Sequence, residues 1–243
     1  MTQNTPKILG VITARGGSKS IPKKNIVPLL GKPLIAYTIV PALKSKYLTK
    51  VLVSSDDPEI IEVSKRYGAE VPFIRPAELA TDTALSIDVV IHATALMEEQ
   101  DNIKYDYIFI LQPTTPLRTT ADIDGAIEKI IDTGADSVIG VVEVQGRHPA
   151  RMVKIKDDRL VSYTEEEPPE GMPRQQLPRV YSRSGSVYVT KRDLIMNQRT
   201  FKGKYSRPWI IPNERDVDID EAIDLAVAEV LMRDKDWSHI RPI

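Results

Sequence analysis

Between Ile12 and Asn25 the chain reads ITARGGSKSIPKKN, its first two residues closing the apolar run KILGVIT. A strand feeding a Gly-Gly-Ser loop offers backbone N–H groups that can form a nest for phosphate oxygens. Arg15, Lys19 and Lys24 add charge and hydrogen-bond donors, and three cations suit a triphosphate better than a monophosphate. The lysine spacing matches neither the Walker loop nor G-x-G-x-x-G. By itself such a loop supports either a solvated surface turn or a phosphate cradle. A second constellation is DVDID, Asp216 to Asp220. On an extended segment, Asp218 and Asp220 point to one face. Hard oxygen ligands suit Mg²⁺, which keeps water and shares phosphate oxygens. Asp220 also directly precedes the helical pattern EAIDLAVAEVLM, so by spacing alone N-capping and metal binding stand level.

The elements that must position these groups alternate. KILGVIT and KVLVSSDD read as strands, EVPFIRP as a short one, and YDYIFILQPTTPLR as a strand running into a proline-rich loop. Helical patterns are PLIAYTIVPALKSK with Pro33 in its first turn, PEIIEVSKRYGA from Pro58 to near Gly68, ALSIDVVIHATALMEEQ, and DIDGAIEKIIDTGA before the strand DSVIGVVEV. This alternation predicts a parallel sheet with helices on both faces, with ligands bound outside the carboxyl ends of the strands. After about Val144 the rhythm breaks. KIKDDRLVSYTEEE predicts a hairpin turning at Asp157-Asp158. EEEPPEGMPRQQLP is a charged, proline-rich loop or an arm over the site or a partner subunit. SGSVYVTKRDLI restores a strand and helical turn, and DEAIDLAVAEVLMRD a final amphipathic helix.

The 243 residues are 42% hydrophobic, enough for one large domain or a domain plus an appendage. The balance of 33 basic against 34 acidic residues argues against a general nucleic-acid binder. The absence of cysteine excludes disulfides, thiolate metal sites and a Cys nucleophile. No stretch approaches the roughly 20 apolar residues of a membrane helix, and the N-terminal apolar run is too short for a signal peptide. These features predict a soluble, cytoplasmic protein with no membrane partner.

ARGGSKSIPKKN resembles the opening signature of the acylneuraminate cytidylyltransferase family, the CMP-sialic and CMP-legionaminic acid synthetases and their relatives. RPAELATDTALS, LQPTTPLR, RQQLPRVYSRSGSVYV and DVDID resemble that family's later motifs, in the same order. The resemblance spans nearly the whole chain. It implies a Rossmann-like α/β nucleotidyltransferase fold, with a mostly parallel sheet flanked by helices. It also implies a single domain over 1–243, with 145–183 as a β-rich dimerisation arm and hence a homodimer.

The implied reaction moves CMP from CTP to a 2-keto-3-deoxy sugar acid and releases pyrophosphate, with Mg²⁺ as cofactor. By this resemblance Arg15, Gly16, Gly17, Ser18, Lys19 and Lys24 hold the triphosphate, Asn25 supports the loop, and Arg75, Ala84 and Ser86 contact the nucleoside. Arg15, Lys24 and Asp218 are the expected catalytic groups, with Asp218 and Asp220 as metal ligands. Gln112, Arg118, Arg174, Arg183 and Ser184 are expected on the sugar side, Arg174 across a subunit interface or else solvated. Ser184-Gly185 departs from the family's Asn-Gly, which leaves the sugar's identity open; Arg183 can compensate for the shorter serine. Lys23 is expected to be a bystander facing solvent, and Asp82 a helix cap or a ligand contact. His92, His148 and His239 make poor candidate bases: the first sits in a helical pattern, the second resembles a sugar-side H-P, and the third lies in the tail. The other readings are a GTP-using legionaminic acid guanylyltransferase and a non-catalytic nucleotide-binding module.

Overall fold

The computed structural model describes residues 5–165, 168–169, 171–233, 235–236, 239–240 and 242. Glu166, Glu167 and Glu170 of the proline-rich loop, and Asp234 at the end of the expected last helix, lie outside the described residues.

Strand β1 (Ile8–Thr13) is the hub of the sheet. After it come a short hairpin, β2 (Pro28–Leu29) and β3 (Lys32–Pro33), then α1 (Ala36–Leu43), β4 (Lys50–Ser54) and α2 (Pro58–Arg66). Then follow α3 (Ser86–Asp101), β5 (Tyr107–Leu111), α4 (Thr120–Thr133) and β6 (Ser137–Glu143). A separate hairpin of β7 (Val153–Lys156) and β8 (Arg159–Ser162) precedes the long β9 (Tyr181–Lys191), α5 (Arg192–Gln198), β10 (Ser206–Ile210) and α6 (Ala222–Met232). The main sheet runs β10-β6-β9-β5-β1-β4. The β1–β4, β1–β5 and β10–β6 pairs are parallel, while β9 is antiparallel to both β5 and β6. The expected mostly parallel sheet is therefore present, with one reversed strand inside it.

Strand β1 is apolar throughout because both of its faces are covered. Ile8 and Ile12 face one core with α1, α2, α4 and α6; Leu9 and Val11 face the other with α3 and Ile195 of α5. Helix ends follow local chemistry. Asp57 caps α2 by accepting from Glu59 N (2.8 Å) and Ile60 N (3.1 Å), with Pro58 next. Thr119 and Asp122 form a capping box on α4, and Gly134 closes that helix at φ 62°.

Two expected elements differ. Pro33 pairs with Pro28 in a two-residue hairpin, and α1 begins only at Ala36. The cause is the Leu30-Gly31 turn, with φ of 48° and 76°, a left-handed pair that reverses the chain. EVPFIRP forms only a Leu52–Glu70 bridge. The expected turn at Asp157-Asp158 is present, both residues having positive φ.

Gly125 on α4 lies under the Trp209 ring, and a Cβ there would overlap the ring, with Cζ2 at 2.9 Å. Alanine gains about 1 kcal/mol of helix propensity over glycine, but overpacking costs about 1–3 kcal/mol. Gly125→Ala is therefore expected to lower the urea midpoint; a raised midpoint would show that β10 yields freely.

Candidate active site

The carboxyl ends of β1 and β5 open onto one cavity of about 360 Å³. Its lining joins distant parts of the chain: Arg15, Gly17, Ser18, Lys24 and Asn25 after β1; Arg75, Asp82, Ala84 and Ser86 before and at the start of α3; Gln112 and Thr114 after β5; Asp218 and Asp220 before α6. Among the described residues, no histidine lines it.

The opening loop is held from below. Ala14 N donates to Ser54 O (3.0 Å), and Asn25 Nδ2 donates to Arg15 O (2.9 Å). Lys24 enters a single 3₁₀ turn, Lys24–Ile26, and its Nζ pairs with Asp220 Oδ1 at 3.0 Å. Ser20 Oγ donates to Asp220 O (2.5 Å), so the first and last motifs, 200 residues apart, are joined directly.

Gly16 is placed differently from expectation. Its N–H already donates to Asp56 Oδ1 (3.0 Å), and a Cβ there would meet Asp57 Oδ2 at 2.7 Å. It packs the loop against the end of β4 and does not line the cavity. Gly17 does line it, and a Cβ there would meet nothing within 4 Å. Lys23, expected to face solvent, pairs with Glu59 away from the cavity.

Asp82 does not cap α3. The N-cap position is Leu85, with no side-chain bond. Asp82 instead bridges Arg15 Nη1 (2.8 Å) and Lys19 Nζ (2.6 Å), and hydrogen bonds from Lys19 and then Arg15 hold its carboxyl below the usual range. Lys19 itself projects into solvent, with 85% of its side chain exposed, so Asp82 is what ties it to the cavity edge. Arg75 is buried, donates through Nε to Ser54 Oγ (3.1 Å) and through Nη2 to Ser54 O, and burial lowers its pKa to about 10.

A second cavity of about 410 Å³ shares Thr13, Ser86 and Gln112 with the first. It is walled by Ile87, Ile139, Tyr188 and Phe201, with Arg183, Arg199 and Lys202 at its polar edge. Arg183 thus lies where an acid could enter. Ser184 does not: it is buried, and its Oγ shares a hydrogen bond with Ser186 Oγ (2.9 Å). Successive residues of a strand face opposite ways, so Arg183 and Gly185 look toward the cavities while Ser184 looks away. A register irregularity between Ile139 and Val141 of β6 lets Arg183 and Tyr188 line the same space.

Gly185, which the spacing had not singled out, backs the site. A Cβ there would collide with Gln112 Oε1 and approach Asp218 Oδ2 to 3.3 Å. The visible signal was a glycine inside a strand, the mark of close approach.

Arg118 is also relocated. It is 1% exposed and lines neither cavity. It donates to Ser186 O (2.5 Å), Thr38 Oγ1 (3.2 Å), Gln112 O (2.6 Å) and Thr115 Oγ1 (2.6 Å), and burial lowers its pKa to about 10. Arg174 lines a separate small cavity with Glu143 and His148. His148 Nδ1 accepts from Ala150 N (3.2 Å), which leaves Nε2 to donate to Pro178 O (2.9 Å), a structural tie within the arm. His92 packs edge-on against Phe73, and burial lowers its pKa.

Val217 and Ile219 are buried, which turns Asp218 and Asp220 outward into the cavity. The side chain of Asp218 is accessible from the open pocket, yet the surrounding protein still desolvates it. That desolvation, with Asp220 and Asp216 nearby, raises its pKa above the ordinary value despite a Thr114 hydrogen bond. Among the described residues, no three His, Cys, Asp or Glu side chains form a metal cluster of their own. Two carboxylates that repel each other beside a polar cavity fit Mg²⁺, which takes one or two protein carboxylates and completes its shell with phosphate and water.

The cavity gathers cations, backbone N–H groups and a carboxylate pair at the carboxyl edge of an α/β sheet, where a phosphate-bearing ligand would fit. A family model described as "Cytidylyltransferase" matches residues 9–236. The chain is 36% identical over 228 residues to the pseudaminic acid cytidylyltransferase of Campylobacter jejuni, covering 93% of this chain and 97% of that one. It is 35% identical over 236 residues to the CMP-N,N'-diacetyllegionaminic acid synthase of Legionella pneumophila, covering 93% and 96%. A solved CMP:2-keto-3-deoxy-manno-octonic acid synthetase complexed with CTP shares the fold, with a TM-score of 0.69 at 18% identity over 93% of this chain and 98% of that one. The chain belongs to the cytidylyltransferase family.

The raised Asp218 pKa has a consequence for stability. The folded state holds this proton more tightly than the unfolded chain does, so ionisation costs stability as pH rises through the folded pKa. Asp218→Asn removes that cost. It is expected to raise the thermal midpoint modestly at pH 7, with the gain shrinking as pH falls toward about 4, where the unfolded carboxyl also protonates. A gain that grows on acidification would contradict the assignment.

Proposed function

We propose that this protein transfers CMP from CTP to the anomeric hydroxyl of a 2-keto-3-deoxy sugar acid of the pseudaminic, legionaminic or sialic type, with release of pyrophosphate. The observation that carries this reading is the convergence of Arg15, Lys24, Asp218 and Asp220 on the cavity that also holds Arg75, Ala84 and Ser86. The names of the C. jejuni and L. pneumophila relatives support the same class of sugar acid.

In this reading CTP occupies the first cavity. Arg75, Ala84 and Ser86 face the nucleoside, and Arg15, Ser18, Lys19 and Lys24 take the phosphates. The sugar acid occupies the second cavity, its carboxylate toward Arg183 and its apolar substituents against Tyr188 and Phe201. Gln112 lines both cavities and orients the acceptor. The anomeric oxygen bonds to the α-phosphorus as the bond to the pyrophosphate oxygen breaks, and the hydroxyl proton leaves to water in the open cavity. Negative charge then moves toward the β-phosphate, where fixed cations stabilise it without reorganising. Arg15 and Lys24 supply that charge from the protein. Asp218 and Asp220 would hold Mg²⁺, which adds positive charge against the phosphates when bound.

The test is pyrophosphate release and mass spectrometry of the product, using CTP or GTP, Mg²⁺ and a panel of such acids. CMP-sugar formation with CTP is expected; GMP-sugar formation would replace the nucleotide assignment, and CTP binding without turnover would favour a binding module. Lys24→Ala should lower kcat/KM about a hundredfold or more, as loss of one preorganised charge-stabilising group does, while Lys23→Ala stays within a few-fold of wild type. Equal effects would undo the loop assignment.

A homodimer built through segment 145–183 belongs to the same proposal. Val153, Ile155, Leu160, Val161 and Tyr163 are exposed on the β7–β8 hairpin, a two-stranded unit that does not join the main sheet. An isolated hairpin is marginal in water, and such a patch calls for cover. Light scattering should give a dimer for the wild type and a monomer for an Ile155→Asp, Leu160→Asp double variant. A dimer that survives both changes would place the interface elsewhere.

A further inference from the structure

Arg215 lies outside both cavities, at the end of a 3₁₀ turn (Asn213–Arg215), three residues before Asp218. Its guanidinium forks onto both oxygens of Asp122, Nη2 reaching Oδ1 at 3.0 Å and Nη1 bonding Oδ2. Asp122 is buried, at 3% exposure, at the start of α4. It also accepts from Trp209 Nε1 (3.2 Å), Thr119 N (2.9 Å) and Thr119 Oγ1 (2.7 Å). Burial alone would push this carboxyl up; the hydrogen bonds from Arg215 and Thr119 hold it below the usual range. A bidentate, desolvated pair of this kind fixes orientation as well as position.

The fork is the upstream anchor of the segment that carries the acidic pair. Downstream of it, Val217 and Ile219 are buried, Ile219 N donates to Thr114 O (2.8 Å), and Asp220 O accepts from Ser20 Oγ. Asp218 and Asp220 therefore lie on a stretch tied at Asp122, at Thr114 and at Ser20. A cap needs only one hydrogen bond at a helix end, and Thr119 already completes the capping box with Asp122. The second oxygen of Asp122 and the whole Arg215 fork exceed what α4 requires.

We infer that the Arg215–Asp122 pair is a positioning device that fixes the segment carrying Asp218 and Asp220 for a divalent cation. The inference rests on the assignment of those two carboxylates to Mg²⁺. Partners that orient metal ligands from outside the ligand set change metal affinity about 10–100-fold when removed.

The test reads binding, with no need for turnover or for the correct sugar. The thermal midpoint is followed with CTP, in EDTA and across a Mg²⁺ titration, for the wild type, Arg215→Met, Arg215→Lys and Asp122→Asn. The Mg²⁺ concentration giving half the extra shift is expected to rise about tenfold in Arg215→Met and Asp122→Asn, with Arg215→Lys between, while the CTP shift in EDTA stays at the wild-type value. Should Arg215→Met fail to fold, Asp122→Asn, which keeps volume and the Trp209 acceptor, carries the same comparison. Variants that are merely less stable, with an unchanged Mg²⁺ midpoint, overturn the inference. So does an equal loss of the EDTA shift, which signals general damage. A wild type with no Mg²⁺ shift at all overturns it by removing the metal assignment beneath it.

Discussion

The buried guanidinium of Arg118 is the contact on which the site hangs. It reaches Thr38 on α1, the Gln112–Thr115 loop after β5 and Ser186 on β9. These elements come from three separated parts of the sequence, and Arg118 is the group that satisfies carbonyls from two of them at once. Desolvating a guanidinium is costly unless its donors are used, and here four acceptors use them. The loop so held presents Gln112 to both cavities and Thr114 O to Ile219. The acceptor side and the acidic segment are thus built against a single rigid turn.

Charge is already balanced within the cavity of the free protein. Asp82 spans Arg15 and Lys19, and Asp220 pairs with Lys24. These pairs are partly exposed, so each contributes little to stability. Their consequence is geometric: they bring cations from one end of the chain to carboxylates near α3 and α6, across the space a nucleotide would fill. Among the described residues Asp218 takes part in no ion pair, and desolvation by the surrounding protein, with Asp220 and Asp216 nearby, pushes its carboxyl up.

Much of this arrangement was legible in the residues. Apart from the β2–β3 hairpin, the segment EVPFIRP and the edge strand β10, the order of strands and helices, the turn at Asp157-Asp158, and the outward alternation of Asp218 and Asp220 between Val217 and Ile219 follow local rules of period and propensity. Failures came where a local signal met a competitor, either next to it or far along the chain. Pro33 is a good first-turn residue, but the left-handed Leu30-Gly31 pair reverses the chain before the helix can start. Asp82 is a good cap, but Arg15 and Lys19 from the opening loop take its oxygens. Arg118 and Ser184 sit within motifs that reach the site, yet both turn inward, one to satisfy buried carbonyls and the other because its neighbours face the cavity.

The sequence by itself determined the α/β alternation, the phosphate-suited loop and the carboxylate pair, because each depends on spacing within a dozen residues. Only the tertiary structure decided which side chains face substrate and which face the core. That choice rests on strand pairing, on the irregularity opposite Val141 that resets the faces of β9, and on buried polar groups finding partners far along the chain. Such long-range hydrogen bonds leave no periodic trace, so the anchoring roles of Arg118 and of the Arg215–Asp122 fork emerge only when the folded chain brings their acceptors together.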